Sequence, residues 1–246
     1  MSRPPIRVTQ FGLINTYLVP EADGVTLIDA GLPGLERRVQ RAVRALGRPL
    51  TRVALTHAHD DHIGAVDALM AARPGLELLV GENDAALLAE RGCRAAPTRL
   101  LRAGDRIGSL TVIDTPGHSP GHVAFLDDRD GTLYAGDTFV SVPSLHVASV
   151  LSAVFPLPTL GTHDPAQTTR SARALLDVPA RFLAVGHGRV LADPLPAMRR
   201  AVEHAESGEE PSALTRRIAG TVARMTGMGS AAAVAGKNGV AQQSER

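Results

Sequence analysis

The stretch Leu55-Thr56-His57-Ala58-His59-Asp60-Asp61-His62 decides how this chain is to be read. It places three histidines and an aspartate, at metal-ligand spacing, in a single turn of chain. Neutral imidazole nitrogen and anionic carboxylate oxygen together suit Zn2+, Mn2+ or Fe2+. A solvated polar loop explains any one of these histidines taken alone, but not the cluster. Before it, Arg52 to Thr56 reads as an apolar strand; after it, Ile63, Val66 and Leu69 open a helix. The cluster therefore occupies a loop leaving the carboxyl end of a strand, where reactive groups collect in layered α/β folds.

Upstream, Ile6 to Gln10, Leu13 to Val19 and Val25 to Asp29 read as strands separated by Gly12 and the Asp23-Gly24 turn. Leu35, Val39, Val43 and Leu46 recur at helical spacing, with Gly47 as the stop. Downstream, Leu76 to Val80 reads as a strand and Glu82 to Glu90 as a helix. Leu110 to Asp114, Val123 to Leu126 and Thr132 to Ala135 form a second group of strands. Two strand-rich halves with helices outside them predict two sheets packed face to face. Asp164-Pro165 and Asp193-Pro194 are helix starts, and Leu214, Ile218, Val222 and Met225 mark a last helix. The expected organisation is one domain over 1–226, helical from about 193, with a patternless tail at 227–246 expected to be disordered.

The chain has 246 residues and is 44% hydrophobic, enough to bury a full core. A formal net charge of +1 gives no field to draw it to nucleic acid or anionic lipid. Lys237 is the single lysine, which leaves arginine as the anion ligand. Cys93 is the single cysteine, so no intramolecular disulfide and no thiolate-rich zinc site is expected, and its expected role is inert. The amino terminus lacks the apolar run of a signal peptide and no segment has the length of a membrane span, so a cytoplasmic location is expected.

Three more strand-end donors follow the cluster: His118 in Thr115-Pro116-Gly117-His118, Asp137 in Ala135-Gly136-Asp137-Thr138, and His187 in Ala184-Val185-Gly186-His187. Flanking glycines let the backbone turn sharply and bring a short ligand close to a metal. Taken with His57, His59, Asp61 and His62, this set resembles the metallo-β-lactamase superfamily, whose pattern is HxHxDH and then a distant His, Asp and His. Thr26-Leu27-Ile28-Asp29-Ala30-Gly31 also looks like that family's early strand end, and the resemblance spans Leu13 to Gly188. It implies an α/β fold of four layers, an αββα sandwich of two mixed sheets with helices on the outer faces.

The resemblance also implies two divalent ions, Zn2+ first with Mn2+ or Fe2+ as alternatives. His57, His59 and His118 would hold one, Asp61, His62 and His187 the other, and Asp137 would bridge them. A metal-bound hydroxide, available because metal lowers the pKa of water to about 7, would attack the substrate, with Asp61 orienting it and receiving its proton. Asp29 is a candidate to hydrogen-bond a ligand histidine, with a plain turn aspartate as the alternative. His122 is read as a support for its strand, His204 as a solvated surface residue and Asp60 as a spacer.

The proline-punctuated stretch from Phe139 to Thr162 reads either as a lid over the metal mouth or as a buried connection. On the lid reading, Phe139, Leu145, His146 and Phe155 are candidate substrate contacts. A bridging aspartate argues against drug hydrolysis, since the family's true β-lactamases generally lack it. The absence of any tyrosine after Tyr134 and of any lysine before Lys237 argues against a glutathione thioester. Lactonases of the family often add an assisting tyrosine, for which Tyr17 and Tyr134 are available. The expected function is a dinuclear hydrolase opening an ester, thioester, lactone or related acyl bond in a small metabolite. A mononuclear iron persulfide dioxygenase, using His57, His118 and Asp137, is the second reading, and a non-catalytic metal-binding protein the third.

Overall fold

The apolar residues of the inner strands alternate between two different cores, and that alternation builds the layers. In β3 (Gly24–Ile28), Leu27 faces one cluster and Ile28 another; in β4 (Leu50–Ala54) and β5 (Glu77–Gly81), Val53 and Leu78 face the first, Ala54 and Leu79 the second. Strands with apolar side chains on both faces must be covered on both. The computed structural model, which describes residues 4–228, shows how.

β1 (Ile6–Gln10) and β2 (Ile14–Glu21) join β3, β4, β5 and β6 (Arg99–Leu101) in a six-stranded sheet of order β1-β2-β3-β4-β5-β6. The first three strands are antiparallel and the rest parallel, so the sheet is mixed. α1 (Glu36–Ala45), α2 (Asp60–Ile63), α3 (Val66–Ala72) and α4 (Ala85–Glu90) accompany it; Val39, Val66, Leu69 and Leu88 from these helices pack on its outer face with Val53 and Leu78.

The second sheet contains β7 (Arg106–Ile107), β8 (Leu110–Asp114), β9 (Val123–Asp127), β10 (Thr132–Gly136), β13 (Phe182–Val185) and β14 (Leu191–Ala192), in the order β14-β13-β10-β9-β8-β7. It too is mixed, β10 and β13 being parallel. A separate hairpin, β11 (Phe139–Ser141) with β12 (Leu145–Val147), and α5 (Leu157–Gly161) fill the connection from β10 to α6 (Pro165–Ala174). α7 (Leu195–Ser207) and α8 (Ala213–Thr226) close the described chain. Between the sheets lie Tyr17, Val19, Leu79, Val112, Phe125 and Tyr134; outside the second sheet, Leu133 and Val185 meet Ala172 of α6 and Met198 and Val202 of α7. Helices, sheet, sheet and helices form the four-layer αββα sandwich.

Several boundaries differ from the sequence expectation. The helix expected to run through Ile63, Val66 and Leu69 is two pieces. The chain breaks there because Gly64 and Ala65 donate to the carbonyls of Gly31 and Ala30, and a side chain at Gly64 would overlap Pro33. The helix expected over Glu82 to Glu90 begins as a 3-10 turn, Glu82–Asp84, before α4. β6, β7, β11, β12 and β14 are two or three residues long, too short for a period of two to register. α8 ends at Gly227 in the left-handed conformation; the rest of the tail, 229–246, lies outside the described residues. Among those described, no helix is long and apolar enough to cross a membrane.

Candidate metal centre

All seven predicted donors leave the carboxyl ends of strands and meet at one place. His57, His59, Asp61 and His62 follow β4, His118 follows β8, Asp137 follows β10 and His187 follows β13. One donor atom from each of His57, His59 and His118 can be chosen so that all lie within 4.8 Å of one another, and the same holds for Asp61, His62 and His187. The carboxylate of Asp137 stands between the two trios. Its Oδ2 is 3.0 Å from His187 Nε2 and 3.5 Å from His118 Nε2, and its Oδ1 is 3.5 Å from His62 Nε2. Asp61 Oδ2 is 3.2 Å from His187 Nε2, and His59 Nδ1 is 3.0 Å from His118 Nε2.

Hydrogen bonds from behind select the tautomers. Asp29 accepts the backbone N–H and hydroxyl of Thr56, and lies 2.9 Å from His62 Nδ1. His62 therefore donates through Nδ1 and keeps its Nε2 lone pair for the centre. The Thr56 hydroxyl, spent on Asp29, accepts from His57 Nδ1 at 3.0 Å, which frees His57 Nε2 likewise. Thr162 does the same for His118, 2.9 Å from its Nδ1 while donating to the Pro158 carbonyl. Asp29 thus hydrogen-bonds a candidate ligand histidine, and it does so from a left-handed backbone, φ 58°. Aspartate tolerates that conformation better than most residues.

The donor set fits a cation. Nε2 of His57, Nε2 of His62 and Oδ1 of Asp137 are buried and have no hydrogen-bond partner in the protein. Buried acceptors left unpaired cost about 1–3 kcal/mol each, and a divalent ion satisfies several at once. Burial pushes the pKa values of His57, His59 and His118 down, so these rings are neutral, as ligation requires. Burial also opposes charge on His62 and His187, but the neighbouring carboxylates outweigh it: His62 is raised well above the ordinary histidine range and His187 to about 9. Burial works against ionisation of Asp61 and Asp137 too, yet the surrounding histidines hold both below the usual carboxylate range.

The architecture around the donors includes residues the sequence did not single out. Asp84, fully buried, accepts from the backbone N–H of Ala58 and Gly121 and from the Ser119 hydroxyl, tying the first ligand loop to the His118 loop. The expected helix over Glu82 to Glu90 hid it as an ordinary polar position. Asn15 donates to the carbonyls of Val185 and Gly188 and so grips both sides of His187. No local signal marks it, since the two carbonyls it grips lie far along the chain. His122 accepts from the backbone N–H of Asp137 at 3.1 Å, and burial lowers its pKa to about 3, keeping it the neutral acceptor that contact needs.

Other candidates fall elsewhere. Phe139 is fully buried against Leu133, Ala172 and Val185 and has no surface to offer a substrate. Leu145 and His146 line a cavity against α7, together with His204, on the hairpin side rather than among the metal donors. Phe155 is half-buried with its ring centroid 5.1 Å from that of His187, so of the four proposed contacts it alone stands beside a donor. The Phe139–Thr162 stretch thus divides into a buried hairpin and a rim segment. Tyr17 and Tyr134 are packed edge to face between the sheets, and the Tyr17 hydroxyl donates to the Val185 carbonyl, which leaves neither free to assist at the centre. Asp60 is exposed and pairs with Arg91. Cys93 is free and half-buried, its thiol raised to about 11 by burial.

Two sheets with donors from four strand ends, gathered as two trios about one aspartate, define a class of protein, and the chain belongs to it: residues 9–187 match the metallo-β-lactamase superfamily. Among its relatives, YobT of Bacillus subtilis (strain 168) is 39% identical over 213 residues, covering 79% of this chain and 91% of that protein. A hydroxyacylglutathione hydrolase of Bradyrhizobium sp. (strain BTAi1) is 30% identical over 128 residues, and the match spans about half of each chain, 51% of this one and 48% of that one. Among solved structures, TTHA1623 in a di-iron-bound form is 32% identical with a TM-score of 0.60, covering 81% of this chain and 98% of that one.

Proposed function

We propose that the protein is a dinuclear metal-dependent hydrolase that opens an ester, thioester, lactone or related acyl bond in a small metabolite. The observation that carries this reading is the Asp137 carboxylate, with one oxygen toward His62 and the other toward both His118 and His187. A carboxylate so placed supports a site for two ions rather than one. His57, His59 and His118 would hold the first, Asp61, His62 and His187 the second; the donor chemistry suits Zn2+, with Mn2+ or Fe2+ as alternatives. When bound, such a pair acidifies water to a pKa of about 7 and polarises an acyl oxygen. Asp61, a third exposed at the mouth, would orient that water and receive its proton. Phe155 offers an apolar surface beside His187 for the acyl portion.

The di-iron form of the neighbour TTHA1623 favours keeping iron among the possible metals. The persulfide dioxygenase reading would use only His57, His118 and Asp137 of these same donors, so metal content and oxygen uptake separate the two readings. Metal analysis of protein purified without added metal, followed by an ester, thioester and lactone panel and an oxygen-uptake assay, tests the proposal. Two divalent ions per chain, hydrolysis without oxygen uptake and its loss in His59→Ala are expected. One iron with oxygen consumption, absence of any divalent metal, or a fully active His59→Ala variant would each end this reading.

A further inference from the structure

The β11–β12 hairpin and α7 border an open cavity of about 370 Å³ that the metal centre does not use. Its wall includes Arg200 and His204 of α7, His146 of β12, and the hydroxyl residues Ser144 and Ser152, and no carboxylate is among the described residues that line it. The nearest acid to the α7 imidazole is Glu209, exposed at the rim, with its Oε2 3.6 Å from His204 Nδ1.

His146 determines the chemistry. Its residue is only 8% exposed, and its Nδ1 lies 2.9 Å from the Ser144 carbonyl. A carbonyl only accepts, so Nδ1 carries the proton and Nε2 of the neutral ring is an acceptor. That Nε2 is buried and without a partner. Burial lowers the ring's pKa, in keeping with the neutral form. A guanidinium, a second imidazole and hydroxyls call for an anion, while a neutral histidine acceptor calls for a donor on the same molecule.

We propose that this cavity is a second ligand site, for a small oxyanion that retains a hydroxyl or acid proton, its charge met by Arg200 and its proton by His146. The site shares two segments with the metal centre. Ser152 Oγ accepts the backbone N–H groups of Val154 and Phe155, and the Phe155 ring lies against His187. Ser141, paired with Leu145 across the hairpin, donates to the His187 carbonyl.

The test uses the full, metal-loaded chain with ¹³C-labelled histidine, titrated with inorganic phosphate, the His146 signal being assigned by its loss in His146→Gln. A saturable shift of the His146 and His204 signals is expected in the parent protein. Loss of one charge-assisted hydrogen bond in Arg200→Ala raises the half-saturating phosphate concentration about tenfold. Arg199→Ala, next to it on α7 but outside the cavity wall, leaves that concentration unchanged. The proposal is overturned by the absence of a saturable His146 shift, by a shift that Arg200→Ala does not weaken, or by equal weakening in Arg199→Ala, which would mark general surface charge. Phosphate on the metal ions moves the donor histidines as much in Arg200→Ala as in the parent protein, so the outcome does not depend on the hydrolase reading.

Discussion

The loop from His57 to His62 and the segment from Phe139 to Thr162 both reach the same metal mouth, yet they are built on opposite principles. In the loop, donor side chains follow one another along the chain, and several are backed by a buried hydrogen bond: His57 by Thr56, His62 by Asp29, and the loop itself by Asp84 at Ala58. The segment is divided by packing. Phe139, Val140 and Val147 are swallowed by the core, while Phe155 stays half-buried beside His187 and Gly161 lies at the end of α5, close to His59. Ligation demands a fixed geometry that many short contacts enforce. A substrate wall demands only shape, which a long segment supplies wherever its apolar residues are left outside the core.

The difference can be broken most sharply at Gly186. A Cβ there would overlap Asp137 Oδ1 and His62 Cε1, so Gly186→Ala displaces two donors at once. Hydrolysis and the second equivalent of metal should both be lost, as read by elemental analysis beside the activity panel; retention of both would show that the donors have more freedom than their packing implies. Asp29→Ala removes the partner of His62 and Thr56 and should lower metal affinity by about 10- to 100-fold, measured by competition with a chelator.

In the segment, stability and function should separate. Phe139→Ala empties a fully buried site and should cost about 3–5 kcal/mol in denaturant unfolding, with metal content per folded chain unchanged. Phe155→Ala should cost less stability and instead raise KM by about fivefold, the worth of one aromatic contact; if the two variants behave alike, the division of the segment is wrong. The smallest effect belongs to Cys93, outside both regions. With its thiol raised to about 11, the thiolate is scarce at neutral pH and grows as pH rises toward that value, so alkylation at pH 8 should be slower than for free cysteine and should quicken with pH.

The uneven legibility of the two regions follows from the same contrast. The paired sheets and their outer helices were readable because Val53 and Ala54, or Leu27 and Ile28, state with a period of two that both faces are covered. The break between α2 and α3 was not, because it answers to the carbonyls of Ala30 and Gly31, which follow the adjacent strand β3 and lie far back along the chain. Phe139, Leu145 and His146 stayed open between a lid and a buried connection for want of any local sign that a hairpin would turn them toward α6 and α7. Asp84 and Asn15 were silent for a related reason: a buried carboxylate or amide is recognised by its partners, and the site segments that these two tie down lie 26 to 173 residues distant.

What the chain declares unaided is its metal chemistry and its layered architecture. Ligand identity depends on residue type, short spacing and strand ends, and all three are local. Which nitrogen each histidine presents, which apolar residues face the mouth and where a second cavity opens depend on contacts between segments far apart in sequence. Those contacts exist only after the two sheets have closed on each other, because only then are polar atoms buried deeply enough that each must find a partner or a ligand.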